Sequence, residues 1–326
     1  AAADFGLTVN AFVKGVAFGD VDNDGDDDLY VSVLGGDNQL WINDRGAFRE
    51  EAAGRGVAEP TFSFPTWFFD YDNDGDEDLF VSSYDLRQFT STPAQVAREA
   101  LSVQTVAERP RLYENDGSGR FSDVSESAGL DRVVYGMGSN YGDLDNDGRL
   151  DFYIGTGAPD LRAIIPNLMF RSTETGFEDV TMAGGFGHIQ KGHAVAFADV
   201  DNDGDQDIFA NIGGAVEGDV FQNALFENPG FGRGWIRFRL KGTASNRAAI
   251  GARVEIRAVD RDGNELSLHR TVRSGGSFGA GPLTVHAGLG DAERVTGVTV
   301  RWPSGTVQQL GSLETNRLHE ITEPNG

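Results

Sequence analysis

The sequence predicts an all-β chain, a β-propeller followed by a small antiparallel β-sandwich. Three observations carry that expectation. An acidic nine-residue loop recurs four times before residue 230, each time between two short apolar runs. Further short patterns recur downstream of these loops, so the unit is a repeat of several short strands. Beyond residue 230 the repeats stop and apolar residues alternate with polar ones at period two.

The loops begin at Asp20, Asp70, Asp143 and Asp199 and read DVDNDGDDD, DYDNDGDED, DLDNDGRLD and DVDNDGDQD. Each keeps acids at positions 1, 3, 5 and 9, Asn at 4 and Gly at 6. Alternate spacing turns successive carboxylates inward round a tight turn, and the Gly supplies positive φ so that the next carbonyl also points in. Such an oxygen set suits calcium, which takes about six to eight hard ligands, and up to four ions are expected. The candidate ligands are Asp20, Asp22, Asp24, Asp26 and Asp28; Asp70, Asp72, Asp74, Asp76 and Asp78; Asp143, Asp145, Asp147, Arg149 and Asp151; and Asp199, Asp201, Asp203, Asp205 and Asp207. Position 7 acts through its backbone oxygen, so Arg149 is no obstacle. The third loop lacks the extra acids of the others and is expected to bind most weakly. These are not EF-hands, because position 12 is Val31, Val81, Ile154 or Ala210 rather than a bidentate Glu. Four equivalent copies point to structural ions that staple blade turns.

Taken in order, each loop is preceded by GVAFG, PTWFF, GSNYG or AVAFA and followed by a strand such as Leu29-Tyr30-Val31-Ser32. A second echo follows at Leu40-Trp41, Leu112-Tyr113, Met169-Phe170 and Leu225-Phe226, and a third at AFREEAAGRGV, RFSDVSESAGL and GFEDVTMAGGF. Four short strands per unit describe a propeller blade. The opening residues through Leu7 look like the tail of the third echo, so either an upstream blade is missing or the N-terminus helps close the ring. Residues 84–110 interrupt the second unit. Thr92 as N-cap, Pro93 at N1 and Gln95 as capping-box partner open a helix whose apolar face holds Val96, Ala100, Val103 and Ala107. A lid or docking helix and a packed ornament are both open readings, the ornament being preferred. A Gly-rich stretch near residue 230 divides a propeller of residues 1–230 from a sandwich of residues 231–326.

Charge follows that division. The first 230 residues hold 14 Lys and Arg against 42 Asp and Glu, whereas the remainder holds 13 against 9. The acidic field argues against nucleic acid as a partner. No run is long and apolar enough to span a membrane, no signal peptide is present in this chain, and the absence of Cys excludes thiolate chemistry. Calcium loops this rich in carboxylate suit the millimolar calcium outside the cytoplasm, so a secreted, periplasmic or cell-surface location is expected.

The loops with their flanking strands resemble the FG-GAP/VCBS repeats of integrin-like β-propellers. Ser245-Asn246-Arg247, Ile250-Gly251, Val272 to Gly279, Gly288 to Gly290 and Val300-Arg-Trp302-Pro303-Ser-Gly305 resemble the ASPIC/UnbV domain. Together they are similar to bacterial relatives of cartilage acidic protein. The resemblance implies a calcium-binding propeller, commonly of seven blades, in a secreted or surface-exposed protein. It implies no reaction.

Other residues invite weaker readings. Ser277 lies in a G-x-S-x-G match with His286 and His319 downstream, but a strand-like stretch follows where a nucleophile elbow needs a helix. His188 and His193 flank Lys191 at no metal-ligand spacing and are expected to be structural. Trp41, Trp67, Phe18, Phe68, Tyr141 and Phe197 recur at related blade positions, which marks them as core. Arg237, Arg239, Arg253 and Arg257 give the sandwich a basic face that either grips an anionic polysaccharide or docks on the acidic propeller. The expected function is a non-enzymatic interaction or adhesion module binding a protein or glycan. The alternatives are an enzyme with a pocket on the propeller axis and a subunit of a larger surface assembly.

Overall fold

The computed structural model describes residues 2–85, 87, 91–214 and 216–325. The chain is all-β and its first part is propeller-like, with one sheet per acidic repeat. Blade 1 is β1 (Val13–Gly19), β2 (Asp28–Val33), β3 (Gln39–Asp44) and β4 (Ala47–Glu50). Blade 2 is β5 (Ser63–Phe69), β6 (Asp78–Ser83), β7 (Arg111–Asn115) and β8 (Phe121–Asp123). Blade 3 is β9 (Gly136–Gly142), β10 (Asp151–Thr156), β11 (Leu168–Thr173) and β12 (Gly176–Asp179). Blade 4 has three strands among the described residues, β13 (Gly192–Ala198), β14 (Asp207–Ile212) and β15 (Ala224–Phe226). Each is an antiparallel meander whose first hairpin turn is an acidic loop.

The inner strands pack in chain order, β1 on β5, β5 on β9 and β9 on β13. Among the described residues no comparable packing joins β13 back to β1, so the blades form an open arc. Aromatic and β-branched residues fill the space between blades. Tyr30, Leu40 and Val57 meet Phe68, Leu79 and Tyr113; Trp67, Phe80 and Leu112 meet Phe152, Ile154 and Phe170; Tyr153 and Met169 meet Val195, Phe197 and Ile208. Of the expected core aromatics Trp41, Trp67, Phe68 and Phe197 are buried and Tyr141 is half-buried. Phe18 departs from that expectation: it is exposed, because among the described residues no blade covers that side of blade 1.

The insertion forms α1's longer counterpart. After α1 (Ala52–Arg55), α2 runs Thr92–Ala100 with Ser91 at the N-cap, so Thr92 and Pro93 lie one residue further in than the spacing predicts. Gln95 Oε1 accepts from Thr105 Oγ1 and Val106 N instead of completing a capping box. Ser102 at φ 55° ends the helix early, leaving Val103 exposed while Val96 and Ala107 pack beside Tyr84 and Tyr135.

Residues 234–322 build two sheets around a core of their own. One orders β19 (Val285–Gly290), β16 (Gly234–Lys241) and β22 (Leu318–Thr322); the other orders β18 (Glu265–Thr271), β17 (Arg253–Val259), β20 (Arg294–Arg301) and β21 (Val307–Leu310). Ile236, Phe238, Val254, Ile256, Leu268, Val298 and Trp302 interdigitate between them. The expected purely antiparallel sandwich needs one correction: β22 runs parallel to β16, because the chain returns from the second sheet along the same direction.

Candidate metal centres and the docked loop face

Local hydrogen bonds give the four loops one geometry. Asn at position 4 adopts φ 58°, 63°, 54° and 65° in Asn23, Asn73, Asn146 and Asn202, and the following Gly also turns through positive φ. The position 1 carboxylate accepts amides from the turn, as Asp20 does from Asp24 N (3.0 Å) and Gly25 N (3.2 Å). Position 5 accepts from the amide of position 7, as in Asp24 with Asp26 N and Asp147 with Arg149 N. The position 7 side chains bond elsewhere, Asp76 to Asn23 and Asp205 to Asn146, which leaves their carbonyls to the loop.

Position 9 has a second role the sequence did not announce. Asp28 accepts from Val21 N and Asn43 N, Asp78 from Tyr71 N and Asn115 N, Asp151 from Leu144 N and Ser172 N, and Asp207 from Val200 N and Asn228 N. Each thus locks its loop to the third strand, or in blade 4 to Asn228 just beyond it. An ionised carboxylate has about four lone-pair sites, so it can do this and still face a cation.

Carboxylate oxygens converge within 4.8 Å of one another in Asp20, Asp22 and Asp28; Asp70, Asp72 and Asp78; Asp143, Asp145 and Asp151; and Asp199, Asp201 and Asp203. The expected position 5 acids Asp24, Asp74 and Asp147, and Asp207 of the fourth loop, stand outside these groups. Asp22 Oδ1, Asp145 Oδ1 and Asp199 Oδ1 are buried and meet no hydrogen-bond donor. Oxygens that only accept, enclosed beside like charges, fit a hard divalent cation. Burial raises Asp20 to about 6, Asp28, Asp70 and Asp143 to about 7 and Asp78 to about 9, and it carries Asp151 upward too.

The basic sandwich docks on this acidic face. Arg253 donates to Asn23 Oδ1 and Gly75 O and lies 3.6 Å from Asp20. Arg270 bridges loops two and three, donating to Asn73 Oδ1 at 2.9 Å and Gly148 O at 2.8 Å. Arg237 pairs with Asp199, and Arg233 with Asp145 at 3.0 Å. Arg273 donates to buried Glu77 at 2.6 Å and to Phe18 O at 2.8 Å. Gly288 N donates to Asp143 Oδ2 at 2.9 Å, and His286 Nε2 meets Asn146 Oδ1 at 2.7 Å. Of the four arginines weighed from sequence, Arg237 and Arg253 dock, whereas Arg239 pairs with Glu320 and Arg257 with Glu255 within the sandwich. Arg270, Arg273 and Glu77 were not singled out. A cleft of about 600 Å³ remains between loops one and two and this domain, edged by charged Asp24, Asp74, Glu77 and Arg253 and by apolar Phe68 and Trp302.

The remaining candidates make the following contacts. Ser277 exchanges backbone hydrogen bonds with Ser139, Val195 N donates to Phe278 O, and Phe278 packs on Phe64, so this turn ties β9, β13 and β5 together. His188 Nδ1 accepts from Gln190 N, and Lys191 is buried against Asp219 at 2.6 Å.

These features place the chain among repeat proteins with acidic turn loops. The family model described as FG-GAP-like repeat matches residues 20–81 and 99–154, and that described as ASPIC and UnbV matches residues 242–326. The chain carries FG-GAP-like repeats and a C-terminal ASPIC/UnbV domain. No curated protein matches it. Among solved structures, SapL1 lectin in complex with alpha methyl fucoside is similar over 93% of this chain and 97% of its own, at 12% identity and TM-score 0.36. AofleA from Arthrobotrys oligospora is similar over 96% and 91%, at 7% identity and TM-score 0.35. At these scores neither bears on the ligand of this chain.

Proposed function

We propose that the chain is a calcium-stabilised interaction module of the cell exterior, with a protein or glycan as its partner. The observation that carries this reading is the set of buried carboxylate oxygens without donors on a face already occupied by the sandwich. Ions held there would cancel charge and fix the second domain on the loops, which is a scaffold's task. Asp20, Asp22, Asp28 and their counterparts would hold them, with positions 5 and 7 drawing in. The third site is the weakest in this reading, because Arg171 at 3.4 Å and Arg233 at 3.0 Å already attend Asp145.

Residues 1–230 and 231–326 are proposed as the two domains, with the 84–110 insertion a packed ornament, as the burial of Val96 and Ala107 supports. No helix of the described residues is long and apolar enough to cross a membrane. The enzyme alternative calls for a pocket on the propeller axis, and no observation favours it over the interaction module.

Binding of the purified chain to polysaccharide panels and to intact cell surfaces tests the reading, with millimolar calcium and with chelator. Saturable binding that chelation abolishes is expected. Binding unchanged by chelation would remove the role given to the ions, and no binding in either condition would overturn the module.

A further inference from the structure

Three buried polar atoms of the docked sandwich have no hydrogen-bond partner, and their residues line one chamber. They are Arg270 Nε, Arg273 Nε and His286 Nδ1. The chamber, of about 80 Å³, lies where the loop ends of the inner strands β9 and β13 meet the sandwich. Asn140, Phe197 and Gln206 bound it on the propeller side, and blades 3 and 4 with the sandwich supply all of its lining. Its volume suits several waters or a molecule of roughly five or six non-hydrogen atoms. Tyr141, Arg270 and Arg273 form a wall that it shares with the larger cleft.

Other contacts fix what each of the three atoms can do. A guanidinium Nε–H only donates. The terminal nitrogens of Arg270 are already used on Asn73 Oδ1, His269 O and Gly148 O, and those of Arg273 on Phe18 O and Glu77. Asn146 Nδ2 donates to Gly204 O and Asp205, so its Oδ1 accepts from His286 Nε2. Nε2 then carries the ring proton and Nδ1 keeps a lone pair. Two donors and one acceptor therefore stand unpartnered around the chamber.

Charge narrows the ligand further. Arg270 is buried, and its hydrogen bonds among the described residues reach only neutral oxygens. The carboxylates that act on it most, Asp143 and Asp70, hold position 1 of loops three and two. A cation in either loop leaves this guanidinium short of counter-charge, which is costly for a buried ion.

We propose that the chamber binds a small hydroxy acid, whose carboxylate accepts from Arg270 Nε and Arg273 Nε and whose hydroxyl donates to His286 Nδ1. A 2-hydroxy carboxylate of about two or three carbons meets the three roles and the volume together. A simple carboxylate leaves the imidazole nitrogen unpaired, and a neutral diol brings no charge to Arg270. The site is independent of the interaction reading, since it needs no surface partner.

Isothermal titration of the full chain with glycolate in millimolar calcium tests this. Saturable binding of one ligand per chain, with a millimolar or lower Kd, is expected. Propionate carries a methyl where glycolate has its hydroxyl and should bind about tenfold more weakly. Glycolamide, which lacks the charge, should bind more weakly still. Arg273→Lys keeps the positive charge but removes the Nε–H, and should weaken both acids about tenfold. His286→Phe should erase the preference for glycolate over propionate. The ligand series on wild-type chain is decisive even where a variant fails to fold. Oligogalacturonate that competes with glycolate assigns the carboxylate to the end of an acidic glycan reaching in from the cleft. Glycolate binding without that competition assigns it to a free acid. No saturable glycolate binding up to about 10 mM, or propionate bound as tightly as glycolate, would overturn the site.

Discussion

The repeat region and the C-terminal domain each bury carboxylates, and they treat them in opposite ways. Glu323 in the sandwich accepts from the amides of Thr243, Ala244 and Ser245 and from the hydroxyls of Ser245 and Ser304. Burial alone would raise it, but these donors outweigh that and hold it at about 2. Asp78 in loop two accepts two amides, yet burial wins and it rises to about 9. One site is complete within the chain; the other is short of positive charge. The arginines of the sandwich supply part of the shortfall at the rim of the loops, which explains why a domain of net basic character accompanies repeats of net acidic character.

Removing calcium should widen that contrast most. With calcium about tenfold above Kd at four sites, mass action stabilises the folded chain by roughly 6 kcal/mol in all. Thermal denaturation should show a fall of roughly 10 °C on adding chelator. Hydrogen exchange should assign the loss to the four loops and spare the sandwich core around Ile256 and Phe238. Uniform loss across both regions would show that the sandwich depends on the ions as much as the repeats do.

The docking between the regions is the next element to break. Arg270→Met removes the arginine bridge between loops two and three and leaves Asn73 Oδ1 without its donor, while Gly148 O keeps only Asn73 Nδ2. A loss of about 2–4 kcal/mol is expected in denaturant unfolding. The same substitution at Arg239, whose partner Glu320 is exposed, should change stability by less than about 1 kcal/mol.

Protons sharpen the contrast in a different way. Asp20, Asp28, Asp70, Asp78 and Asp143 titrate at about 6 to 9 in the folded chain, against an ordinary value of about 3.9. The folded state therefore holds more protons than the unfolded one across that window. Metal-free protein should lose stability as pH rises from about 4 to about 9. Calcium displaces those protons, so its apparent affinity should rise over the same range. A titration of melting temperature against pH with chelator, repeated with calcium, reads both slopes. A metal-free melting temperature that climbs toward pH 8 would contradict the loop assignment.

Much of the repeat region was legible because its signals recur. Four copies of DxDNDG placed every loop, and the echoes at Leu40, Leu112, Met169 and Leu225 placed the third strands. The docking was not legible, since Arg270 and Arg273 meet Asn73 and Glu77 across most of the chain and no period links them. The second role of position 9 was hidden for another reason: a carboxylate that binds amides and one that binds a cation are the same residue in a sequence. Phe18 breaks the pattern because the repeat position predicts burial only beside another blade, and among the described residues none covers that side.

A smaller effect than that of Arg270 is expected at the completed site. Glu323→Gln keeps one acceptor oxygen but loses the charge that gathers three amides and two hydroxyls. The melting temperature should drop by about 2–4 °C, by the same amount with calcium and with chelator. The native carboxylate has a depressed value, so its contribution is whole above about pH 4.5 and fades as pH falls through about 2. Wild type and variant should therefore converge in acid, over a window opposite to that of the loops. A difference that instead depends on calcium would mean that the Glu323 nest, which ties Thr243 and Ser245 to Ser304, is coupled to the loop face through the docked strands.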